Sequence, residues 1–89
     1  HVHFPQTDVI GSPADGLLPW LANYTFPHES RFADLAYGQA VARVFLDELR
    51  RHGVTTALTF CTSHPASVDG LMTEAQARGL RLIAGKVLQ

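Results

Sequence analysis

Two helical patterns, each stopped by a glycine and each followed by a short β-branched run, constrain this chain more than anything else in it. From about Asp34 to His52 the apolar residues Tyr37, Val41, Val44, Phe45 and Leu49 trace one helical face, Asp34 offers a cap, and Gly53 suits the left-handed position past the end. Arg50, Arg51 and His52 fall in the last turn, where the helix dipole favours cations. A second helix is expected from a Ser67 cap through Arg78, with Val68, Leu71, Met72 and Ala75 on one side and Gly79 as its stop. Val54 to Phe60 and Leu80 to Leu88 then read as strands, the first short, apolar and buried. Strand, helix, strand, helix, strand with short connections implies an α/β fold with parallel neighbours joined by right-handed crossovers. A barrel and an open doubly wound sheet both begin this way.

The opening strand carries His1-Val2-His3. Side chains at i and i+2 share a face only on extended backbone, so both imidazoles can approach one divalent ion while Val2 packs on the other side. Zinc takes three protein ligands and a water when catalytic and four ligands when structural, so at least one more must come from elsewhere. A plain strand end or a tag remnant is the competing reading. Between this strand and the first helix, Pro5, Gly11, Pro13, Gly16 and Pro19 punctuate a long irregular stretch. Its apolar content (Val9, Ile10, Leu17, Leu18, Trp20, Leu21) argues for a packed active-site loop, with a helical turn from Pro19 to Tyr24 and an irregular piece from Thr25 to Phe32.

Seven basic and eight acidic residues, scattered along the chain, leave no electrostatic footprint for nucleic acid or an anionic membrane. No apolar run reaches the roughly 18 residues of a membrane span and no signal-peptide pattern opens the chain. One cysteine allows no internal disulfide, which fits a cytoplasmic location.

Taken together, HVHFPQTDVIGS, Leu18-Pro19-Trp20-Leu21, the block Asn23-Tyr24-Thr25-Phe26-Pro27, Thr55-Thr56-Ala57 and Gly85-Lys86-Val87 resemble the guanine deaminases of the amidohydrolase superfamily, from end to end of the chain. The resemblance implies a zinc enzyme on a TIM (β/α)8 barrel, of the metal-dependent hydrolase type, that converts guanine to xanthine and ammonia. It also implies one Zn²⁺ per active site, a purine substrate and a homodimer. A whole barrel needs about 250 residues, so residues 1–89 are expected to be the first β/α units of a single, incomplete barrel domain, unstable and inactive in isolation.

By the same resemblance His1 and His3 are zinc ligands, and Gln6 is the glutamine that hydrogen-bonds the purine. An amide suits that role because it both donates and accepts; a loop-capping glutamine is the alternative. The remaining ligands and the proton-transferring residues of the family lie on later strands. His64, after the second strand, either meets substrate or bonds local backbone. Trp20 either walls a flat substrate or, as expected among leucines, anchors the loop. Cys61 is expected to be a buried inert thiol rather than half of a dyad with His64. Lys86 is expected to be structural, its stem packed and its ammonium paired, and His28 and His52 to be solvated. Two further readings stay open: an aminohydrolase of the superfamily acting on another heterocycle, and a small non-catalytic α/β binding module.

Overall fold

The computed structural model describes residues 1–88. Strands β1 (Val2–His3), β2 (Thr56–Phe60) and β3 (Arg81–Gly85) form one sheet in the order β1-β2-β3, every pair parallel. Register sets Val2 beside Thr59 and His3 beside Phe60, with Thr59 and Phe60 in turn beside Ala84 and Gly85. Because alternate residues point to opposite faces, Val2, Thr59, Leu82 and Ala84 share one face and His3, Leu58, Phe60 and Ile83 the other.

The first face is the covered one. Helices α3 (Leu35–Arg51) and α4 (Pro65–Arg78) lie against it and build the core from Val41, Ala42, Phe45, Leu46, Leu71 and Ala75, with Val2, Leu82 and Ala84 packed on its border. Phe4, the next residue of inward parity after Val2, is fully buried and meets Phe32 edge to face at a centroid distance of 5.3 Å. The two helices approach closely where α4 has no side chain: a Cβ on Gly70 would stand 3.2 Å from the backbone nitrogen of Gln39. Across the outer part of that interface Glu74, nearly buried, accepts from Arg43 at 2.9 Å and from Arg78 at 2.6 Å, and Arg78 also donates to Asp47 at 3.0 Å.

The opposite face of the sheet is bare. Leu58, Phe60 and Ile83 are 50%, 40% and 65% exposed. This corrects the reading of the second strand as buried: of β2 only Thr59 is buried, since both crossover helices fall on one side of the sheet. The helical stripes hold at Tyr37, Val41, Phe45 and Leu49 and at Val68, Leu71 and Ala75, with one expected residue of each helix turned out. Val44 and Met72 face outward and Ala42 and Leu46 take the inward places, because α3 is gripped along a broad front that includes consecutive residues.

Two helix starts behave differently. Asp34 caps α3 as expected, its carboxylate accepting from the backbone N–H of Ala36 at 2.9 Å. α4 begins three residues earlier than expected, at Pro65 with His64 in the cap position, because proline is favoured at the first helical residue and needs no N–H partner there. Ser67 is therefore inside the first turn. β3 spans Arg81–Gly85, shorter than the expected run to Leu88.

The largest departure lies between residues 4 and 33. A 3-10 turn covers Phe4–Val9, and from Leu17 the chain is helical almost without a break: α1 (Leu17–Trp20), a π turn (Leu21–Thr25), α2 (Phe26–Glu29) and a 3-10 turn (Ser30–Ala33). The expected turn from Pro19 to Tyr24 is part of this path, which starts at Leu17 after Gly16 with φ at +139°. Prolines did not break it because Pro19 falls in the first turn of α1, where backbone donors are unpaired in any case, and Pro27 directly follows the π turn, where the helical ladder is already shifted. Ile10, Leu17 and Leu18 are exposed by 81%, 69% and 75% while Val9, Trp20 and Leu21 are half-buried, so the packing expected of this loop holds for only part of its apolar residues.

Candidate functional site

Strand alternation that buries Val2 and Phe4 turns His1 and His3 onto the bare face. Their rings meet edge to face at a centroid distance of 5.6 Å, and both lie against Phe60, at 5.2 and 4.6 Å. Two imidazoles that share a tetrahedral metal through nitrogens at about 2.0 to 2.1 Å have centroids roughly 5 Å apart, so the observed pair fits a common ion with little movement. Burial pushes the His3 imidazole below its ordinary pKa, which favours the neutral form that binds metals. Among the described residues no group of three or more His, Cys, Asp or Glu is placed to hold a metal.

Gln6 sits on the 3-10 turn directly after β1, and its side-chain amide lies 3.5 Å from Nδ1 of His3. A histidine that ligates through Nε2 carries its proton on Nδ1 and needs an acceptor there; the amide oxygen of Gln6, reached by a half-turn of the amide, is the group within range. His1, His3, Gln6 and Thr7 line an open cavity of about 550 Å³ that runs along the free edge of β1 to Glu48 and His52.

The second polar cluster stands at the carboxyl end of β2. The Thr62 hydroxyl is 2.9 Å from Nδ1 of His64 and 3.0 Å from Oγ of Ser67, and it accepts the backbone N–H of His64 at 3.2 Å. Ser67 accepts the backbone N–H of Thr62 at 3.1 Å and donates to the carbonyl of His64 at 2.8 Å. Beside this cluster a cavity of about 170 Å³ is lined by Phe26, Glu29, Ser30, Thr62, Ser63 and His64. Nothing in the spacing of Glu29 announced it. The Thr62-x-His64-x-x-Ser67 spacing across a strand-to-helix turn was a readable signal for the rest.

Other residues fall where their surroundings put them. Trp20 is half-buried and donates its indole N–H to Ser12 at 2.7 Å, which staples the loop and leaves the ring away from both histidines' cavity. Cys61 is fully buried and its thiol is pushed up to about 11 by desolvation, so it is inert, as expected. His52 is solvated at its helix end. His28 is not: its side chain is 12% exposed, 3.0 Å from the Tyr37 hydroxyl and 3.6 Å from Asp8, because the helical path of residues 17–33 folds it onto α3. Lys86 is exposed, with no ion pair among the described residues, which overturns its reading as a packed and paired lysine.

A sequentially ordered parallel sheet with both crossover helices on one face and its polar clusters at the carboxyl ends of strands is the arrangement of a parallel α/β fold, in which sites gather at that edge. Comparison with known proteins narrows this. The chain is 46% identical over 88 residues to guanine deaminase of Escherichia coli and 47% identical over 88 residues to a probable guanine deaminase of Deinococcus radiodurans, each alignment taking in 99% of this chain and 20% of the relative. Human guanine deaminase is 36% identical over 98% of the chain and 19% of its own length. The solved E. coli guanine deaminase superposes with a TM-score of 0.92 at 45% identity, covering 99% of this chain and 20% of that one, and the crystal structure of the Bradyrhizobium japonicum enzyme with 0.91 at 40%, covering 96% and 18%. No protein-family model matches the chain. The chain is homologous to one stretch of the guanine deaminases and spans about a fifth of the length of the relatives it matches.

Proposed function

We propose that this chain supplies the first pair of metal ligands and part of the substrate loop of a zinc-dependent guanine deaminase, which hydrolyses guanine to xanthine and ammonia. The observation that carries the reading is the pairing of His1 and His3 on the bare face of β1 with rings 5.6 Å apart, in a chain similar throughout to guanine deaminases. The sheet's winding supports a (β/α)8 barrel: strands that follow one another in sequence order with both helices outside leave the other face for a barrel interior, and Leu58, Phe60 and Ile83 are the apolar layer that such an interior needs. The purine is the ligand in this reading, the working assembly is a homodimer and the location is cytoplasmic, in keeping with a single, reduced and buried Cys61.

Zinc, when bound, supplies the Lewis acidity that activates water near neutral pH. His1 and His3 would hold it as neutral imidazoles, and Phe60 backs both rings so that they keep one orientation. Gln6 orients His3 through Nδ1, and its amide offers the remaining donor and acceptor to the edge of the heterocycle. The other ligands and the groups that move protons lie outside these residues.

The test uses the longest natural chain that carries this sequence. His1→Ala and His3→Ala are expected to lose zinc and deamination together, because one ligand of so few leaves the ion under-coordinated. Gln6→Ala is expected to retain zinc while kcat/KM on guanine falls by about 1 to 3 kcal/mol, the cost of an unpaired buried partner. Stoichiometric zinc with full turnover in both histidine variants ends the ligand assignment, and turnover of another heterocyclic amine in place of guanine moves the substrate.

A further inference from the structure

The cavity beside β2 is lined by polar groups whose protons are already committed elsewhere. Ser67 Oγ gives its proton to the carbonyl of His64 at 2.8 Å, so the 3.0 Å contact between Ser67 Oγ and Thr62 Oγ1 is bridged by the proton of Thr62. With that proton spent, Thr62 Oγ1 has only lone pairs for the His64 ring 2.9 Å away, and Nδ1 of His64 must be the donor. Every short contact of the cluster is satisfied by this assignment. The reverse one, with Thr62 donating to the ring, leaves an oxygen pair at 2.8 or 3.0 Å with no proton between. His64 is thereby held as the neutral Nδ1–H tautomer, and Nε2 carries a lone pair with no partner among the described residues.

The other walls have the same polarity. Ser30 Oγ spends its proton on the carbonyl of Pro27 at 2.7 Å, and Glu29 is a partly buried carboxyl with no ion pair among the described residues. Of the polar side chains that line the cavity, Glu29, Ser30, Thr62 and His64 can only accept, and Ser63 alone has a hydroxyl free to do either. At about 170 Å³ the space lies below the roughly 300 Å³ at which sites enclose whole small molecules, so it holds a small ligand or one group of a larger one. Burial also raises the Glu29 carboxyl above its ordinary pKa, a cost that a donor cation beside it would offset.

We infer that this cavity is a subsite for a nitrogen that bears N–H donors, held between the Glu29 carboxylate and Nε2 of His64. Free ammonium and the amino group of a heterocycle share that chemistry. Naming ammonia as the reaction's own source of it rests on the deaminase reading; the subsite itself rests on the four acceptors, Glu29, Ser30, Thr62 and His64, that line it.

The experiment is a titration of the longest natural chain, labelled with ¹⁵N-histidine, with ammonium chloride, against tetramethylammonium chloride at equal ionic strength. The His64 ring is expected to show the Nδ1–H tautomer, and its Nε2 resonance to move saturably with ammonium and not with tetramethylammonium, which has the charge and no N–H. His64→Asn, which keeps a donor toward Thr62 but removes Nε2, and Glu29→Ala are each expected to weaken ammonium binding at least tenfold, with metal content unchanged. Guanine added to the ammonium complex separates the sources: displacement places the heterocycle's amino group in the subsite, and joint binding makes it a separate station for ammonium. No shift with ammonium, an equal shift with tetramethylammonium, or an Nε2–H tautomer overturns the proposal. Since the titration needs no turnover, ammonium binding in a protein inactive on guanine would sink the deaminase reading alone, and deamination without an ammonium shift would sink the subsite alone.

Discussion

The two faces of the sheet are built from residues of similar apolarity and have opposite fates. On one, Val2, Leu82 and Ala84 are half-buried against the core of Phe4, Phe45, Leu46, Leu71 and Ala75; on the other, Leu58, Phe60 and Ile83 stand open beside the paired histidines. Apolar character in a strand therefore says that a residue belongs against something, without saying whether this stretch of chain provides it. The covered face carries the packed core and the open one the paired histidines, and each prediction below strains that division.

The largest effect is expected when the 89 residues are left to themselves. An open sheet face and free β1 and β3 edges invite association, and small domains bury only about 60% of their unfolded surface, so the isolated chain is expected to associate and to melt without a cooperative monomeric transition. Sedimentation and thermal unfolding check this, and a cooperatively melting monomer would favour the compact binding module instead. Next in size, Phe4→Ala removes a fully buried ring that meets both Phe32 and Phe45, and in the longest natural chain a loss of about 3 to 5 kcal/mol is expected from denaturant unfolding.

Ile83→Ser sharpens the comparison most. At 65% exposure the substitution should cost under about 0.5 kcal/mol if the face is open to water, and about 2 to 4 kcal/mol if, as the barrel reading requires, other segments cover it. The second outcome is expected in the longest natural chain. A smaller effect belongs to the rim of the covered face, where Arg78 first and then Arg43 hold the Glu74 carboxyl below the ordinary glutamate range. The folded state then binds its proton at lower pH than the unfolded one, so this contribution is complete above about pH 4.3 and is lost as pH falls through the depressed value. Glu74→Gln is expected to lower stability at neutral pH and to flatten its decline toward acid; an unchanged decline would mean that the bridge contributes nothing.

Much of this was legible in the residues themselves, because the signals were local. Gly53 follows helix α3 directly at φ +77° after the helix-end His52, and Gly79 closes α4 in the left-handed conformation, each where a chain must leave a helix and only glycine does so without strain. The Asp34 cap, the parallel order of strands and the common face of His1 and His3 follow likewise from periods of 3.6 and 2.

What only the tertiary structure decided depended on contacts between residues far apart in the chain. Residues 17–33 carry proline and no clean periodicity, yet they run as joined helical turns because packing of Thr25 and Phe32 holds them there. The start of α4 was set by Pro65 acting with the Thr62, His64 and Ser67 bonds, a competition that propensity at Ser67 alone does not reveal. Glu29 met His64 across a cavity, and His28 met Tyr37 and Asp8, through the fold of that irregular stretch rather than through any spacing. Periodicity reports which residues prefer to be inside. Which of them find a partner, which are left facing open space and which acceptors are gathered around one small cavity are settled when the helices close on one side of the sheet.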